Sequence, residues 1–412
     1  MAPEAPARGT LRAVLAQQPF TRFLCARFAA SLAAQMQTVA VGVQVYGLTH
    51  NPLDLGLIGL SQFLPFVGFV LVAGHSADRW DRKRIVFVCI AVQVLCAVAL
   101  AAFATVGLKN RVPIFAVMIV FGVTRAFMGP ASNALVPNLV PVGLFGNAVA
   151  INSSAWQVAT IAGPALGGML YAATGPAPVY GTGAALLGLA LASLVGLRAP
   201  RTASSREPVS WARVVEGLRF VWRREVVLGA ISMDLFAVLF GGATALLPAY
   251  AADVLHVGAG GIGWLRAAPG IGAALTAAGL MVRPLGRHVG ATMFAGVAIF
   301  GMATIVFGLS TRFWASLVAL VVIGAADMVS VFVRHMLVQL ETPDHMRGRV
   351  GAVNSMFVGA SNEFGEFESG ITAAWWGLKP AVVVGGIATL CVAALWARWF
   401  PQLRQLDQFR LD

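Results

Sequence analysis

The sequence predicts an all-α membrane protein with twelve transmembrane helices, arranged as two pseudo-symmetric halves of six. Of the 412 residues, 58% are hydrophobic and only 11% are charged, with a mean hydropathy of +0.79, whereas a soluble domain carries roughly 25% charged residues. The hydrophobic residues form twelve runs, each close to the length of about 20 residues that a helix needs to cross a bilayer. One long polar segment, residues 198–225, separates the first six runs from the last six.

Each run is interpreted as a helix, because lipid offers no hydrogen-bond partner to an unpaired backbone group. In chain order the predicted helices cover residues 20–47, 55–76, 85–107, 112–136, 147–173, 178–197, 226–252, 260–281, 290–309, 313–339, 350–375 and 380–398. The N-terminal segment lacks the pattern of a removable signal peptide, so the first run is predicted to be a span. Most of the 29 Lys and Arg residues lie in connectors on the side of the two termini. Because positively charged connectors stay inside, both termini are predicted to be cytoplasmic.

These spans divide the chain into five predicted segments. They are a cytoplasmic N-terminal arm (1–19), an N-terminal six-helix bundle (20–197), a cytoplasmic linker (198–225), a C-terminal six-helix bundle (226–399) and a cytoplasmic C-terminal tail (400–412). From Trp211 to Trp222 the linker has apolar and basic residues at helical spacing, which predicts a helix along the cytoplasmic membrane surface. The net charge of +12 lies mainly in such connectors, so it indicates membrane orientation, and no nucleic-acid partner is expected.

The two halves also resemble each other in sequence, as expected for a transporter built from repeats. At a constant offset of 204 positions, matched residues include Tyr46 with Tyr250, Pro65 with Pro269 and Arg79 with Arg283. At an offset of 202 positions, they include Pro141 with Pro343, Asn152 with Asn354 and Gly163 with Gly365. These matches predict an internal duplication.

The connector after the second predicted helix carries the most specific motif. It reads Gly74-His-Ser-Ala-Asp78-Arg79-Trp-Asp81-Arg82-Lys83-Arg84. It resembles the G-x-x-x-D-R-x-G-R-R signature of the major facilitator superfamily, with Asp81 in place of the usual Gly. The resemblance implies the major facilitator fold and a role in conformational gating for Gly74, Asp78, Arg79, Arg82 and Lys83. The alternative interpretation is that these charges only set the membrane topology.

Two further patches resemble the same superfamily. Arg125-Ala-Phe-Met-Gly129 in the fourth predicted helix is similar to its membrane-embedded Arg motif. In the fifth, the patch formed by Gly163, Pro164, Gly167 and Gly168 looks like a motif associated with exporters. Physically, Pro removes a backbone donor and kinks a helix, while glycines let a neighbouring helix pack closely. A plain packing site is the alternative for this patch.

Segments around Asp234, Arg266 and Glu363 resemble the enterobactin-exporter-like branch of the superfamily, over about residues 20–399. This branch contains siderophore exporters and drug exporters. The resemblance also implies that helices 1, 4, 7 and 10 line the cavity and that helices 2, 5, 8 and 11 flank it.

Charged side chains within spans are costly and usually functional. The first predicted helix carries a polar stripe at spacings of three and four, which predicts that it faces the cavity, although a packed polar seam is the alternative. Arg125 and Arg266 are further cations that suit an anionic substrate group. The candidate cavity residues are therefore Arg27, Ser31, Gln35, Thr38, Arg125 and Arg266.

Acidic residues within the predicted spans are candidate proton carriers. Glu363 and Glu366 lie three positions apart on one face of the eleventh helix, near the middle of the span. Two carboxylates this close in a low dielectric cannot easily both ionise, so at least one is expected to exchange a proton near neutral pH. The candidates rank as Glu366, Asp234, Glu363 and Asp327, with a buried structural ion pair as the alternative for each. Glu368 points away from Glu366 and is expected to serve packing or the outer vestibule.

Together these features predict a proton-coupled antiporter that exports a bulky amphipathic compound by alternating access. We expect a monomer in the inner membrane of a bacterium, with a small-molecule substrate, protons and the lipid bilayer as its partners. A proton-coupled uptake symporter and a non-transporting sensor or assembly subunit are the alternatives. The sequence shows no nucleophile–base pair, nucleotide loop or metal-ligand spacing, so neither an enzyme, a cofactor nor a metal site is predicted.

Overall fold

The computed structural model describes residues 11–197, 211–343 and 346–408. Within these ranges the chain is almost entirely helical and contains no β-strand. Twelve long helices correspond one to one with the predicted spans. They are α1 (Gln18–Thr49), α2 (Pro52–Arg79), α3 (Arg82–Thr105), α4 (Val112–Leu135), α5 (Phe145–Thr174), α6 (Pro176–Val195), α7 (Glu225–Gly241), α8 (Ala259–Val282), α9 (Val289–Leu309), α10 (Phe313–Leu340), α11 (Arg347–Trp376) and α12 (Leu378–Trp399).

Two predicted boundaries differ from the structure. The seventh predicted helix is interrupted after Gly241 by a 3-10 turn, Ala243–Leu246, and continues as the short helix Leu247–Asp253. The connector expected after the second helix is also mostly helical, since α2 continues through Arg79 and α3 begins at Arg82. The side chain of Asp81 caps α3 by accepting hydrogen bonds from the backbone N–H groups of Lys83 (2.9 Å) and Arg84 (3.4 Å). Asp fits this position because its carboxylate satisfies first-turn donors that otherwise have no partner.

In the described part of the chain, ten helices are long and apolar enough to cross a membrane. The two long helices outside this set, α5 and α11, each have 30 residues. They are less apolar because α5 is rich in Gly, Ser and Asn, while α11 carries three carboxyl groups and two Arg. The two long helices outside this set are thus the ones that hold the Gly-Pro patch and the paired Glu residues.

Contacts between Cα atoms divide the chain into two compact units. Unit 1 comprises Met1–Val41 and Ser61–Val209. Its core joins α1, α3 and α6 through buried side chains such as Phe20, Ile90 and Leu194. Each of these side chains is at most 2% exposed.

Unit 2 comprises Gly42–Leu60 and Ser210–Asp412. It therefore contains the end of α1 and the start of α2 together with α7 to α12. One of its buried clusters joins α7, α9, α10 and α12 through side chains such as Met233, Met293 and Trp396. In the tail, the backbone N–H of His288 donates to the carboxylate of Asp407 (3.1 Å). This hydrogen bond, together with Arg287, holds the pKa of Asp407 below its usual value.

The predicted linker helix is present as Trp211–Arg223, while residues 198–210 lie outside the described ranges. It packs on the beginning of α11, where Gly217 lies against the backbone of Arg349. Glu216 and Arg349 form an ion pair at 2.7 Å, and Val221 is buried in a small apolar cluster with Val350. Its position at the membrane surface remains a prediction.

Glycines make the closest helix contacts, at corresponding positions of the two units. In unit 1, a Cβ atom added to Gly122 on α4 would overlap the backbone carbonyl of Gln62 on α2. In unit 2, a Cβ added to Gly324 on α10 would overlap the backbone carbonyl of Pro269 on α8. Gly122 and Gly324 are 202 positions apart, the offset that relates the second group of sequence repeats.

The substitution Gly272→Ala is expected to destabilise unit 2. A Cβ at this position on α8 would overlap the carbonyl oxygen of Val321 on α10 and would lie 2.8 Å from the backbone nitrogen of Ala325. Because backbone atoms cannot rotate away, overpacking should lower the free energy of unfolding by about 1–3 kcal/mol. The measurement is the Tm of the purified protein in detergent. Gly279→Ala on the same helix is the control, since it meets open space, and equal Tm values for the two variants would contradict the prediction.

Candidate functional site

Two deeply buried charges form an ion pair between two helices of unit 2. Asp234 on α7 and Arg334 on α10 are 2.9 Å apart, and both side chains are at most 4% exposed. Arg334 also donates a hydrogen bond to the side-chain oxygen of Asn354 on α11, at 3.3 Å. The two bonds connect α7, α10 and α11 through one guanidinium group. Such a pair leaves neither charge uncompensated in the interior.

Asp327 belongs to the same cluster. Asp234 and Asp327 line one small cavity, together with Ser330 and Phe300, and Asp327 interacts electrostatically with both Asp234 and Arg334. Two carboxyl groups thus share one guanidinium. The cluster is electrically neutral only when one of the two carboxyl groups carries a proton, and buried charge is costly without compensation.

The two Glu residues of α11 meet α2 at Gly59. A Cβ atom added to Gly59 would lie 2.8 Å from Oε2 of Glu366 and 3.3 Å from Oε2 of Glu363. The two carboxylates therefore converge on one point, as their spacing predicts. Glu363 is buried and Glu366 is half-buried.

Glycines on both helices permit this approach. A Cβ on Gly56 of α2 would lie 3.0 Å from the backbone oxygen of Glu366, and one on Gly370 of α11 would lie 3.0 Å from the Cα of Gly56. The backbones of α2 and α11 are therefore in contact over about one turn of each helix. Small residues permit such contact between membrane helices.

Arg266 on α8 adds a cation to this group. It is half-buried and interacts electrostatically with Glu366. On its other side it approaches α1, since a Cβ on Gly42 would lie 3.8 Å from its Nη1 atom. The structure therefore brings together three predicted site residues from two helices, Arg266, Glu363 and Glu366. We call these three residues the carboxylate cluster.

A further hydrogen bond lies near the end of α1, about one turn after Gly42. The hydroxyl group of the buried Tyr46 donates to the carboxylate of Asp253, which ends the continuation of α7. A Cβ on Gly42 would lie 3.1 Å from the ring of Pro248 in the same short helix. The matching Tyr250 donates instead to the backbone carbonyl of Gly308 on α9, at 2.7 Å. The two sequence repeats thus share a tyrosine at this position, but the two tyrosines have different hydrogen-bond partners.

The other predicted cavity residues belong to unit 1. Arg27 donates a weak hydrogen bond to Asn133 (3.3 Å), and Arg125 lies 6.0 Å from the centre of the Phe66 ring. Thr38 donates to the backbone of its own helix. The side chains of the stripe, Arg27, Ser31, Gln35 and Thr38, are all half-buried. These residues all belong to unit 1, whereas the carboxylate cluster belongs to unit 2.

The Gly-Pro patch of α5 packs against this stripe. A Cβ on Gly163 would lie 2.5 Å from the Cβ of Gln35, and one on Gly167 would lie 2.8 Å from the Cα of Met36. Pro164 and Gly168 are buried beside them, and α5 is continuous through Pro164. The stripe is thus partly a packed seam between α1 and α5.

The basic residues of the predicted gating motif bind helix ends of unit 1. Arg82 donates to the carbonyl of Ala134 in the last turn of α4 (3.0 Å). Lys83 donates to the carbonyl of Leu197, directly after α6 (2.7 Å). Carbonyl groups at helix C-termini lack partners and carry partial negative charge, so cations stabilise them. Arg79 is exposed. The surroundings of Gly74 and the side chain of Asp78 lie outside the described part of the structure.

Comparison with known protein families shows to which family the chain belongs. A family described as transmembrane secretion effector matches residues 10–411. The chain belongs to this family, within the major facilitator superfamily. The twelve-helix major facilitator fold predicted from the motif after α2 is thereby confirmed.

Characterised relatives of this family member are exporters by name. The chain is 27% identical over 377 residues to the multidrug efflux pump Tap of Mycolicibacterium fortuitum, covering 87% of this chain and 90% of Tap. It is 28% identical over 339 residues to the enterobactin exporter EntS of Escherichia coli O1:K1, covering 81% of this chain and 80% of EntS.

Solved structures of other transporters share the fold. A bacterial homologue of the lysosomal transporter Spinster superposes with a TM-score of 0.75 at 14% identity, covering 96% of this chain and 99% of that one. A bacterial homologue of the iron transporter ferroportin gives a TM-score of 0.67 at 14% identity, covering 92% and 98%. The protein is therefore an integral membrane transporter with a small-molecule substrate.

The contacts of several residues in these clusters could not be predicted from the sequence. Arg334 is one of several charged residues within spans, and helical spacing alone does not show whether it pairs with Asp327, seven positions before it on the same helix, or with a residue of another helix. Asn354 and Tyr46 appeared only as repeat matches, and Gly59 was one glycine among 45. Within the described residues, no group of three or more His, Cys, Asp or Glu side chains is arranged to hold a metal ion.

Proposed function

We propose that this transporter is a proton-coupled exporter of a bulky amphipathic small molecule, such as a siderophore or a drug. It would act as a monomer in the bacterial inner membrane, with both termini in the cytoplasm. The observation that carries the proposal is the carboxylate cluster, in which Glu363 and Glu366 face Gly59 and Arg266 lies beside Glu366. The names of Tap and EntS support the export direction over uptake.

The cluster suggests how proton binding is linked to access. With both carboxylates ionised, Glu363, Glu366 and Arg266 carry a net charge of −1, and one proton makes them neutral. This charge lies where the backbones of α2 and α11 are in contact. A proton taken up from the outer side would favour one access state and release substrate, and its loss to the cytoplasm would reset the carrier. Only a difference in proton affinity between the two states is required.

The second acidic cluster is a supporting candidate. Asp234 and Asp327 share Arg334, so a second proton could be exchanged there. Because Asp234 has a direct ion pair, we rank Glu366 first and Glu363 second as proton carriers. Arg27, Arg125 and Arg266 remain candidates for contact with an anionic group of the substrate, and Arg79, Arg82 and Lys83 for control of the access state.

The substitution Glu366→Gln tests the proposal. Inverted membrane vesicles are energised, the pH gradient is followed with a quenched dye, and a panel of catecholates and aromatic cations is added. A transported compound should dequench the dye in wild type, because its uptake releases protons. Glu366→Gln should reduce this response at least tenfold, because the amide cannot exchange a proton.

The matched control is Glu225→Gln, which removes an exposed carboxylate at the start of α7. It should keep the wild-type response. Dequenching of equal size in wild type and Glu366→Gln would contradict the assignment of Glu366. A pH change of the opposite sign on substrate addition would favour the uptake symporter.

A further inference from the structure

A groove between α7 and α11 holds the third carboxyl group of α11. It has a volume of about 560 Å³ and is lined by Leu235, Leu239, Phe364, Ile371 and Trp375 around Glu368. A volume of this size matches that of sites for drug-sized ligands. One turn before Glu368 the two helices are in contact, since a Cβ on Gly365 would lie 2.9 Å from the backbone oxygens of Val238 and Leu239 on α7.

The groove is separate from the carboxylate cluster. Glu368 follows Glu366 by two positions, which turns its side chain about 200° around the helix axis. Glu366 faces Gly59 on α2, whereas Glu368 lines the groove beside α7. A ligand in the groove would therefore contact Glu368 without touching Glu363 or Glu366.

Glu368 is the single charged residue among those that line the groove. In the described part of the chain, no hydrogen bond or ion pair involves its half-buried carboxyl group. The two hydroxyl groups nearby are already used, because Ser361 donates to the carbonyl of Val358 and Thr372 donates to the carbonyl of Glu368 itself. The groove thus offers one acidic group surrounded by apolar surface.

The position of Glu368 within the membrane indicates which kind of ligand can reach it. Glu368 precedes Trp376, the last residue of α11, by eight positions, or about 12 Å at 1.5 Å per residue. Trp375 and Trp376 are exposed, as is usual for aromatic residues at the membrane interface. The carboxyl group therefore lies at the level of the lipid chains, where a charge is costly and usually has a function.

We propose that this groove binds a lipophilic cation. Its ammonium or phosphonium group would lie against the carboxylate of Glu368, and its apolar body would pack on Phe364, Ile371 and Trp375. Aromatic faces also attract cations, which adds to the selectivity. The binding site stands independently of the proposed function, while its use during export rests on that function.

Binding of two probes of equal shape and opposite charge tests this inference. Radiolabelled tetraphenylphosphonium and tetraphenylborate are titrated into the full-length protein in nanodiscs. Glu368→Gln should weaken tetraphenylphosphonium binding at least tenfold and should not weaken tetraphenylborate binding. Glu368→Asp retains the charge and should keep cation binding within about threefold of wild type. Leu239→Trp should reduce binding of the cation by filling the groove.

The alternative outcomes are distinct. Unchanged tetraphenylphosphonium binding in Glu368→Gln would overturn the proposal, and so would equal weakening of both probes. If Glu366→Gln removes cation binding and Glu368→Gln does not, the cation binds at the carboxylate cluster and the groove inference is wrong. None of these binding measurements depends on proton transport. They can therefore disprove cation binding in the groove without disproving the proposed export function, and the vesicle assay can disprove the export function without disproving cation binding.

Discussion

Replacing Arg334 with leucine is expected to lower the free energy of unfolding by about 3–5 kcal/mol, because Asp234 would become a buried carboxylate without its cation. Both side chains are at most 4% exposed, so water cannot replace the lost partner. The loss also removes the hydrogen bond to Asn354, which connects α10 to α11. We expect low yield of folded protein and a strongly reduced Tm in detergent.

A matched ion pair at the surface provides the control for this prediction. Arg349→Leu breaks the pair with Glu216, whose side chains are 30% and 51% exposed, and should cost at most about 1 kcal/mol. The double variant Asp234→Leu with Arg334→Leu should recover part of the lost stability, because Asp234 is then no longer a buried carboxylate without a cation and Asp327 is the one carboxyl group of the cluster that remains. Equal stability of Arg334→Leu and Arg349→Leu would contradict the prediction that loss of the buried Asp234–Arg334 pair costs more than loss of the surface pair.

Replacing Gly59 with leucine should abolish proton-coupled transport. A Cβ atom alone would lie 2.8 Å from Oε2 of Glu366, and a full side chain would separate α2 from both carboxylates. The stability cost should be about 1–3 kcal/mol, typical of overpacking, so folded protein should still be obtained. Transport is measured by dye dequenching in inverted vesicles, and the signal should fall at least tenfold.

Graded and positional controls distinguish this effect from general damage. Gly59→Ala meets the flexible carboxylate ends of Glu366 and Glu363 and should retain partial transport. Gly68→Leu, on the same helix, points into open space and should behave like wild type. Full activity of Gly59→Leu would show that contact between α2 and the carboxylates is not needed.

Hydropathy was sufficient to predict the helices of this protein. Twelve runs were predicted and twelve long helices were found, because a helix is the way for an isolated segment to satisfy its backbone in lipid. The ends were extended by a few residues, since Asp81 and the residues around it continue or cap the helices. The break after Gly241 in α7 was not predicted, although Gly241, Gly242 and Pro248 lie there, because the apolar run continues across them and glycines also occur in most of the other spans.

Spacing along one helix predicted part of the site. Glu363 and Glu366 are neighbours because residues three apart share a helix face. Which helix they face could not be predicted, since any glycine-containing span could have packed there. The pairing of Asp234 with Arg334, 100 positions later, and of Tyr46 with Asp253 depends on how helices are arranged, which periodicity does not encode.

Direct assay of coupling in Glu366→Gln tests the central claim. Purified wild type and variant are reconstituted into liposomes with a substrate found in the vesicle panel, and two rates are compared. One is substrate exchange at equal pH on both sides, which needs no net proton movement, and the other is accumulation driven by a pH gradient. Glu366→Gln should retain exchange and lose gradient-driven accumulation. Loss of both rates, or retention of both, would contradict the role of Glu366 as the coupling carboxylate.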